Sequence, residues 1–341
     1  MITYIIRRLL LMIPTFFGIT LVAFIIINLA PGSPIEQKLQ AMRFGNQGNK
    51  DTGSNRGSIG MNEELVEELK KQYGFDKPIH IRYVIWVKNI SKLDFGKSFT
   101  YEEPVMDVIL SKFPVSLSFG ITSLILSYLI CIPLGIAKGV RAGSIFDVVS
   151  GLVLYATYSV PVIVLGILLI VFFAGGSYFD WFPIGGFASD DTDGFTFFQK
   201  LLDHAHHFVL PLVCYMFGSF TELTILMRNS LLDVIKADYI RTARAKGLDE
   251  KIVLYKHALR NALIPIATGL GGFFGVFLAG SLIIETIFQL DGIGLLSYKS
   301  VQARDYNVIM AIIFLSSVVL MIGRLFSDLI YVVVDPRIDF K

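Results

Sequence analysis

The sequence predicts an all-α integral membrane protein with six transmembrane helices. Three observations support this fold class. Hydrophobic residues make up 54% of the 341-residue chain and charged residues only 17%, and the mean hydropathy is +0.63. These values are too apolar for a protein that exposes its whole surface to water. The apolar residues also form six runs long enough to cross a hydrocarbon core of about 30 Å as helices, and basic residues collect between particular runs.

Residues 1–30 are predicted to form a cytoplasmic N-terminus followed by the first span. Arg7 and Arg8 precede the apolar run 9–30, which is longer than the core of about 7–15 residues in a secretory signal peptide. The polar stretch 31–113 is then predicted to be an extracytoplasmic domain. Its Gly/Asn/Ser-rich middle favours a loop, and Asn62 is expected to cap a helix over 63–73.

The remaining residues, 114–341, are predicted to form a core of five spans. These lie at 114–137, 148–174, 208–227, 263–288 and 308–334. Six spans place both termini in the cytoplasm, and the distribution of Lys and Arg between the loops agrees with this orientation. Pro133, Pro161 and Pro211 are expected to kink their helices. Gly271, Gly275 and Ala279, at four-residue spacing, indicate a flat face for helix packing or for a pathway lining.

Two motifs suggest chemistry that the rest of the sequence does not support. Gly96-Lys97-Ser98 resembles the end of a phosphate-binding loop, but Ser91 occupies the position where that motif needs a glycine. The chain is therefore not predicted to hydrolyse ATP or to be an enzyme. His204 and His207 would share a helix face with Asp203 nearby, yet a full set of ligands is missing, and we predict no metal site.

Several polar residues within the spans allow more than one role. Glu222 and Glu285 are candidates for a transport pathway, because a charge in the bilayer is costly and often functional. The structural alternative, which the sequence favours, pairs Glu222 with Arg228 and lets Glu285 reach water at the end of its span. Arg324 and Asp328 are predicted to pair on one helix face. Cys131 and Cys214 lie in apolar runs and are predicted to be buried thiols that form no disulfide.

A basic segment, residues 238–265, lies between the fourth and fifth spans within the predicted cytoplasmic loop 228–262. A helix over 240–246 is predicted to end at Gly247, which allows a sharp turn. Thr242, Ala243 and Ala245 would give this helix a small, flat face for a partner protein. The flanking Arg and Lys residues would hold an acidic rim on that partner.

The sequences YIRTARAKG at 239–247 and HALRNALIP at 257–265 resemble the coupling loop, or EAA loop, of permease subunits of ABC importers. The resemblance is to the dipeptide/oligopeptide branch and extends over most of the chain, including ETIFQLDGIGLLSY at 285–298 and ARDY at 303–306. VFFAGGSYFDWFP at 171–183 and the DPRIDF ending are most similar to the B-type subunit of Yej-type microcin C and oligopeptide permeases.

This resemblance implies the fold of a type I ABC importer transmembrane domain in the bacterial inner membrane. It implies that the contact with the ATPase lies on the following residues: Ile240, Arg241, Thr242, Ala243, Arg244, Ala245, Lys246 and Gly247. Arg241, Thr242 and Ala243 occupy the Glu-Ala-Ala positions. Two departures stand out: Arg241 replaces an acidic residue found in many importers, and Pro265 lies farther from Gly247 than in the general pattern.

The implied partners are a second, homologous permease subunit, two ATP-binding subunits or a fused ATPase, and an extracytoplasmic peptide-binding protein. ATP and Mg would be used by those ATPases, and no cofactor or nucleic acid would bind to this chain. Oligopeptides, including microcin C-like peptides, would be the cargo. Two alternatives remain open at this point: a secondary transporter driven by an ion gradient, and a membrane scaffold or receptor subunit that transports nothing.

Overall fold

The computed structural model describes residues 2–30, 76–176, 178–189, 194–269 and 280–334. Within these ranges the regular structure is helical, apart from an isolated bridge between Lys97 and Pro104, so the all-α prediction is confirmed there. Some predicted features lie outside the described residues: the loop at 45–60, the helix over 63–73 with Asn62, the small residues Gly271, Gly275 and Ala279, and the segment 335–341.

The helices of the described part follow one another with short connections. In chain order they are α1 (Ile2–Leu29), α2 (Ile79–Ile90), α3 (Val105–Val140), α4 (Ile145–Tyr158), α5 (Val162–Phe173), α6 (Phe197–Ile235), α7 (Asp238–Ala245), α8 (Glu250–Ile252), a π-helical turn (Val253–Ala258), α9 (Leu259–Ala262), α10 (Ile264–Gly269), α11 (Leu282–Ile287), α12 (Ile293–Gln302) and α13 (Tyr306–Val334).

Four of the described helices, α1, α3, α6 and α13, contain stretches long and apolar enough to cross a membrane. α4 and α5 together form a fifth candidate, but they meet at an angle of 95°. The kink expected at Pro161 within the span 148–174 is therefore present, as a break between two helices. Pro161 precedes α5 and has no N–H with which to continue α4, so the chain breaks there. The predicted span 263–288 is described only towards its two ends, by α10 and α11.

α6 is longer than the predicted span 208–227. Thr196 and Gln199 form a reciprocal capping box that starts the helix at Phe197, so 11 residues expected in a loop are helical. α3 and α6 continue through Pro133 and Pro211, whereas Pro161 marks a break.

The chain divides into two compact units. The larger contains Met1–Arg8, Lys112–Leu295 and Val318–Lys341, and the smaller contains Leu9–Ser111 and Leu296–Ser317. In the smaller unit, Asp305 caps the start of α13 by accepting from the Val308 N–H at 3.3 Å. Its carboxylate also accepts from the Ser98 hydroxyl and from the Thr100 N–H. The Gly-Lys-Ser stretch is thus part of a turn that is held by a buried carboxylate.

Two apolar clusters form the core of the larger unit. One surrounds Met227 and joins α3, α6 and the helices that follow α6. The other surrounds Phe119, whose ring stacks on Phe208 with the ring centroids 4.0 Å apart. Cys131 lies in the first cluster and Cys214 in the second, and both are buried free thiols, as predicted.

α3 and α6 approach closely at two glycines. A Cβ atom on Gly135 would lie 2.6 Å from the Met227 Cβ and 2.7 Å from the Thr224 carbonyl oxygen. One turn later, a Cβ on Gly139 would lie 3.0 Å from a methyl carbon of Leu231. Small residues four positions apart let two helix backbones approach within a membrane. The described structure thus has such a face on α3, in addition to the one that the sequence predicted at 271–279.

Asp147 joins the ends of three helices. Its carboxylate accepts from Arg228 on α6 through two hydrogen bonds of 2.7 and 2.6 Å, and it lies 3.2 Å from the Lys138 ammonium on α3. Lys138 also donates to the Asp147 carbonyl and to Ser150. Both Lys138 and Asp147 are buried, so each charge relies on the other for compensation. This ion-pair network was not predicted, since Arg228 lies 81 residues from Asp147 in the chain.

Asp328 does not form the predicted pair with Arg324. Its carboxylate pairs instead with Arg8 on α1 and accepts from the Tyr4 hydroxyl at 3.1 Å. The first residues of α1 are therefore tied to the end of α13 within the larger unit.

We expect Gly135→Ala to destabilise the protein by about 1–3 kcal/mol, because the added methyl group must displace the α6 backbone. The measurement is the apparent melting temperature of the detergent-purified protein. Gly218→Ala on α6 is the matched control: its Cβ would meet nothing within 4 Å, and alanine favours a helix by about 0.5–1 kcal/mol over glycine. Equal melting temperatures for the two variants would contradict a close contact at Gly135.

Candidate functional site

α7 is the central helix of the basic segment 238–265. Asp238 in its first turn complements the helix dipole, and Gly247 follows its end with a φ of +78°. This left-handed conformation suits glycine and turns the chain sharply, as predicted. A residue with a Cβ would be strained at this position.

The residues of α7 divide between an exposed and a buried face. Arg241, Thr242, Arg244 and Ala245 are exposed, as are Lys246 and Gly247 after the helix. Ile240 is fully buried, and Ala243 has only 8% of its surface exposed. The predicted flat face of Thr242, Ala243 and Ala245 is therefore wrong for Ala243, which points into the protein.

Ile240 and Ala243 connect α7 to the membrane-spanning helices. Three positions apart on a helix, they share a face. They pack in the apolar cluster that also contains Cys131 of α3 and Leu231 of α6. Val253, Ala258 and Ala262 from the returning segment complete this cluster. α7 thus rests on the ends of two long helices.

Polar contacts fix the rest of the segment around α7. Arg244 binds Glu250 through two hydrogen bonds of 3.0 and 2.6 Å, and these hydrogen bonds lower the pKa of the Glu250 carboxyl. The Asn261 amide donates to the Tyr239 hydroxyl at 2.7 Å, joining α7 to α9. Both pairs are exposed, so their contribution to stability is small, but they connect α7 to the residues that follow the turn at Gly247.

The exposed face of the segment is strongly basic. Six exposed cationic residues lie on it: Arg241, Arg244, Lys246, Lys251, Lys256 and Arg260. Arg244 is partly neutralised by Glu250, and Arg241 lies 3.5 Å from Asp238. An acidic partner surface would be attracted to the remaining charge.

Glu285, the first of the two predicted intramembrane carboxylates, is fully buried, so the expectation that it reaches water is wrong. One of its oxygens accepts from the Ser116 hydroxyl at 3.2 Å, the Tyr215 hydroxyl at 3.4 Å and the Ser281 N–H at 3.2 Å. The other oxygen accepts from the Leu295 N–H at 2.6 Å. The carboxylate therefore organises the backbone around α11.

The loop after α11 is built closely around this carboxylate. Ser116 links the loop to the carboxylate, because its hydroxyl donates to Glu285 and also accepts from the Ile293 N–H at 2.8 Å. A Cβ on Gly280 or on Gly292 would collide with the Glu285 carboxylate. Gly292 falls within 285–298, the segment that resembles the importer family, and the contact with Glu285 explains why glycine is needed at this position.

Glu222, the second carboxylate, is exposed on α6, and the predicted pairing with Arg228 is wrong. Arg228 binds Asp147 instead, and Glu222 accepts one long hydrogen bond of 3.4 Å from the Tyr158 hydroxyl. The two carboxylates therefore differ in their surroundings: Glu285 is enclosed by donors, and Glu222 is open.

The histidines near the start of α6 bind main-chain oxygens. His204 contacts the Phe187 carbonyl at 2.8 Å, His207 contacts the Asp203 carbonyl at 2.9 Å, and His206 contacts the Trp181 carbonyl at 2.5 Å. The contacts of His204 and His206 attach the segment before α6 to the helix, whereas the contact of His207 lies within α6. Within the ranges that the structure describes, no group of three or more His, Cys, Asp or Glu residues could hold a metal ion.

Long apolar helices, with an exposed basic helix packed on the ends of two of them, are typical of a helical membrane protein. Residues 131–340 match the family described as the binding-protein-dependent transport system inner membrane component. The chain belongs to this family. It is therefore a membrane-embedded component of a transport system.

Curated relatives match over nearly their whole length. The peptidoglycan transport system permease protein YejB of Agrobacterium fabrum is 45% identical, and the match covers 99% of this chain and 98% of the relative. The inner membrane ABC transporter permease protein YejB of Escherichia coli O157:H7 is 40% identical, with 99% of each chain covered. The oligopeptide transport system permease protein AppB of Bacillus subtilis is 35% identical over the full length of both.

We expect Glu285→Gln to lower the apparent melting temperature strongly, because an amide NH₂ cannot accept the hydrogen bonds that the carboxylate accepts. Each buried donor left unpaired costs about 1–3 kcal/mol. Glu222→Gln is the matched control and is expected to melt like the wild type, since its carboxylate is exposed. A Glu285→Gln variant of normal stability that fails in transport would instead assign this carboxylate to a transport pathway.

Proposed function

We propose that this chain is one of two permease subunits of an ATP-driven importer that carries oligopeptides across the bacterial inner membrane. The observation that carries this proposal is the exposed basic face of α7, whose buried face packs on α3 and α6. The printed names of the relatives, which include an oligopeptide transport permease, support the class of cargo. Peptides of the microcin C type are included in this proposal.

The proposed topology has six spans and both termini in the cytoplasm. The two described parts of the fifth span would be α10 and α11, and the residues 31–113 would face an extracytoplasmic peptide-binding protein. The concentration of Lys and Arg at 238–260 supports a cytoplasmic position for α7, because basic residues accumulate on that side of a membrane.

The docking surface for an ATPase subunit would consist of Thr242, Ala245 and Gly247 with the basic residues around them. Small side chains let a groove of the partner close over the helix. Ile240 and Ala243, on the opposite face, would hold the mechanical connection to the spans. Arg241 departs from the acidic residue of many importers, so we assign it no family salt bridge.

Movement of the two ATPases would then be transmitted through a rigid contact. When ATP binding brings the two ATPases together, the ATPase bound to α7 would move this helix. Because Ile240 of α7 packs in the cluster with α3 and α6, the ends of these two helices would move with it. Rocking of the spans as rigid bodies would open a path alternately to the two sides. ATP and Mg would stay with the ATPase subunits, and a second, homologous permease subunit would supply the other half of the path.

The test is to purify the chain with its co-expressed partner subunits, reconstitute the complex in vesicles and measure ATP hydrolysis and peptide uptake. We expect the binding protein with peptide to stimulate hydrolysis, and uptake to stop when ATP is withheld. Uptake that persists without ATP and collapses with the ion gradient would favour the secondary transporter. Failure of any ATPase to co-purify, with no uptake under either condition, would favour a scaffold.

We expect Ala245→Trp to reduce ATPase co-purification at least tenfold, because the indole would fill the space needed by the partner groove while the buried face of α7 stays intact. Ala205→Trp, also exposed but near the start of α6, is the matched control. It lies about 45 Å along the helix from the end of α6, at 1.5 Å per residue, and should leave co-purification unchanged. Normal ATPase binding and transport by Ala245→Trp would contradict the assignment of α7.

A further inference from the structure

Glu222 lies within the bilayer on the proposed topology. It precedes Arg228 by six residues, which corresponds to about 9 Å along α6. Arg228, Asp147 and Lys138 form the ion-pair network at the cytoplasmic end of the spans. A charged residue at the bilayer centre costs about 2.5–3.5 kcal/mol on insertion scales, and such residues face a protein interior or a water-filled cavity rather than lipid.

The face of α6 that carries Glu222 is open. Gly218, one turn earlier, is exposed, and a Cβ placed on it would meet nothing within 4 Å. Leu226, one turn later, has 42% of its surface exposed. On the adjoining face, Thr221 is buried and donates to the Leu154 carbonyl at 3.0 Å, which fixes α6 against α4. Glu222 therefore lies at the border between this contact and open space.

One exposed tyrosine of α4 contacts the carboxylate, and a second lies about one turn away on the same side of that helix. Tyr158 donates to Glu222 at 3.4 Å and is 54% exposed, at the point where α4 ends before the break at Pro161. Tyr155, three positions earlier and therefore on the same side of α4, is 59% exposed. A carboxylate has about four acceptor positions, and a single long hydrogen bond leaves most of them available.

We infer that Glu222, with the rings of Tyr158 and Tyr155, forms a recognition site for the positively charged groups of a peptide in transit. This inference rests on the proposed function. A carboxylate supplies the opposite charge, and tyrosine rings attract ammonium and guanidinium groups through their π faces. The site faces a water-filled path, which explains how an ionised group remains within the span. The importer would consequently favour cationic peptides.

The experiment uses the complete reconstituted importer with its binding protein and compares Ala-Lys-Ala with Ala-Gln-Ala. The quantity is the ratio of their ATP-dependent uptake rates, in wild type and in Glu222→Gln. The preference of the binding protein cancels when this ratio is compared between variants. We expect the ratio to fall at least threefold in Glu222→Gln, while uptake of Ala-Gln-Ala and stimulated ATP hydrolysis remain within twofold of the wild type.

Two further variants serve as controls. Glu222→Asp keeps the charge and should keep a ratio closer to the wild type than Glu222→Gln does. Asp180→Asn removes an exposed carboxylate of the chain outside the proposed spans and should leave the ratio unchanged. If the ratio falls in Asp180→Asn as much as in Glu222→Gln, the effect comes from the net charge of the protein, and the assignment of the site to Glu222 is overturned.

An unchanged ratio in Glu222→Gln overturns the inference. If uptake of both peptides then remains normal, Glu222 does not contact the cargo, and if both fall equally, it pairs with a residue of the second permease subunit. These results leave the importer itself intact. Failure of the wild-type complex to take up either peptide with ATP would instead contradict the proposed function.

Discussion

Placing a charge in hydrocarbon is costly, and this cost explains why the carboxylates of Asp147 and Glu285 are surrounded by cations or hydrogen-bond donors of the chain. Asp147 is compensated by two cations, Lys138 and Arg228, and joins three helix ends. Glu285 is compensated by hydrogen-bond donors and fixes the backbone around α11. In both cases the chain itself supplies the partners, so these residues stabilise the architecture. Glu222 has the same chemical group, and of these three carboxylates it alone is exposed.

The connection between α7 and the spans depends on a different interaction, the burial of Ile240. Complete burial of an isoleucine side chain contributes about 1.5–3 kcal/mol. That contribution is gained only while α7 lies against α3 and α6, because the cluster contains residues of both helices. A force applied to the exposed side of α7 therefore reaches the spans through close-packed side chains. The glycines Gly135 and Gly139 strengthen this arrangement, since they bring α3 and α6 into direct backbone contact.

The features that could be predicted from the sequence depend on local patterns. Apolar runs predicted α1, α3, α6 and α13, and the composition of 238–247 predicted α7 with its turn at Gly247. Pro161 indicated a kink in the span 148–174, but its size of 95° could not be predicted, because a hydropathy pattern carries no information about helix direction. The burial of Ala243 was also missed, although its spacing of three from Ile240 was a usable signal for an inward face.

The partners of the charged residues depend on contacts between distant parts of the chain, and sequence spacing misled the prediction. Arg228 lies close to Glu222 in sequence, yet it binds Asp147, because the packing of α4 on α6 brings that carboxylate to it. Once Asp147 takes the guanidinium, Glu222 is left without a cation of its own. The pairing of Asp147 with Arg228 and Lys138 thus stabilises the contact between α3, α4 and α6, and it leaves Glu222 available for the selectivity that we propose.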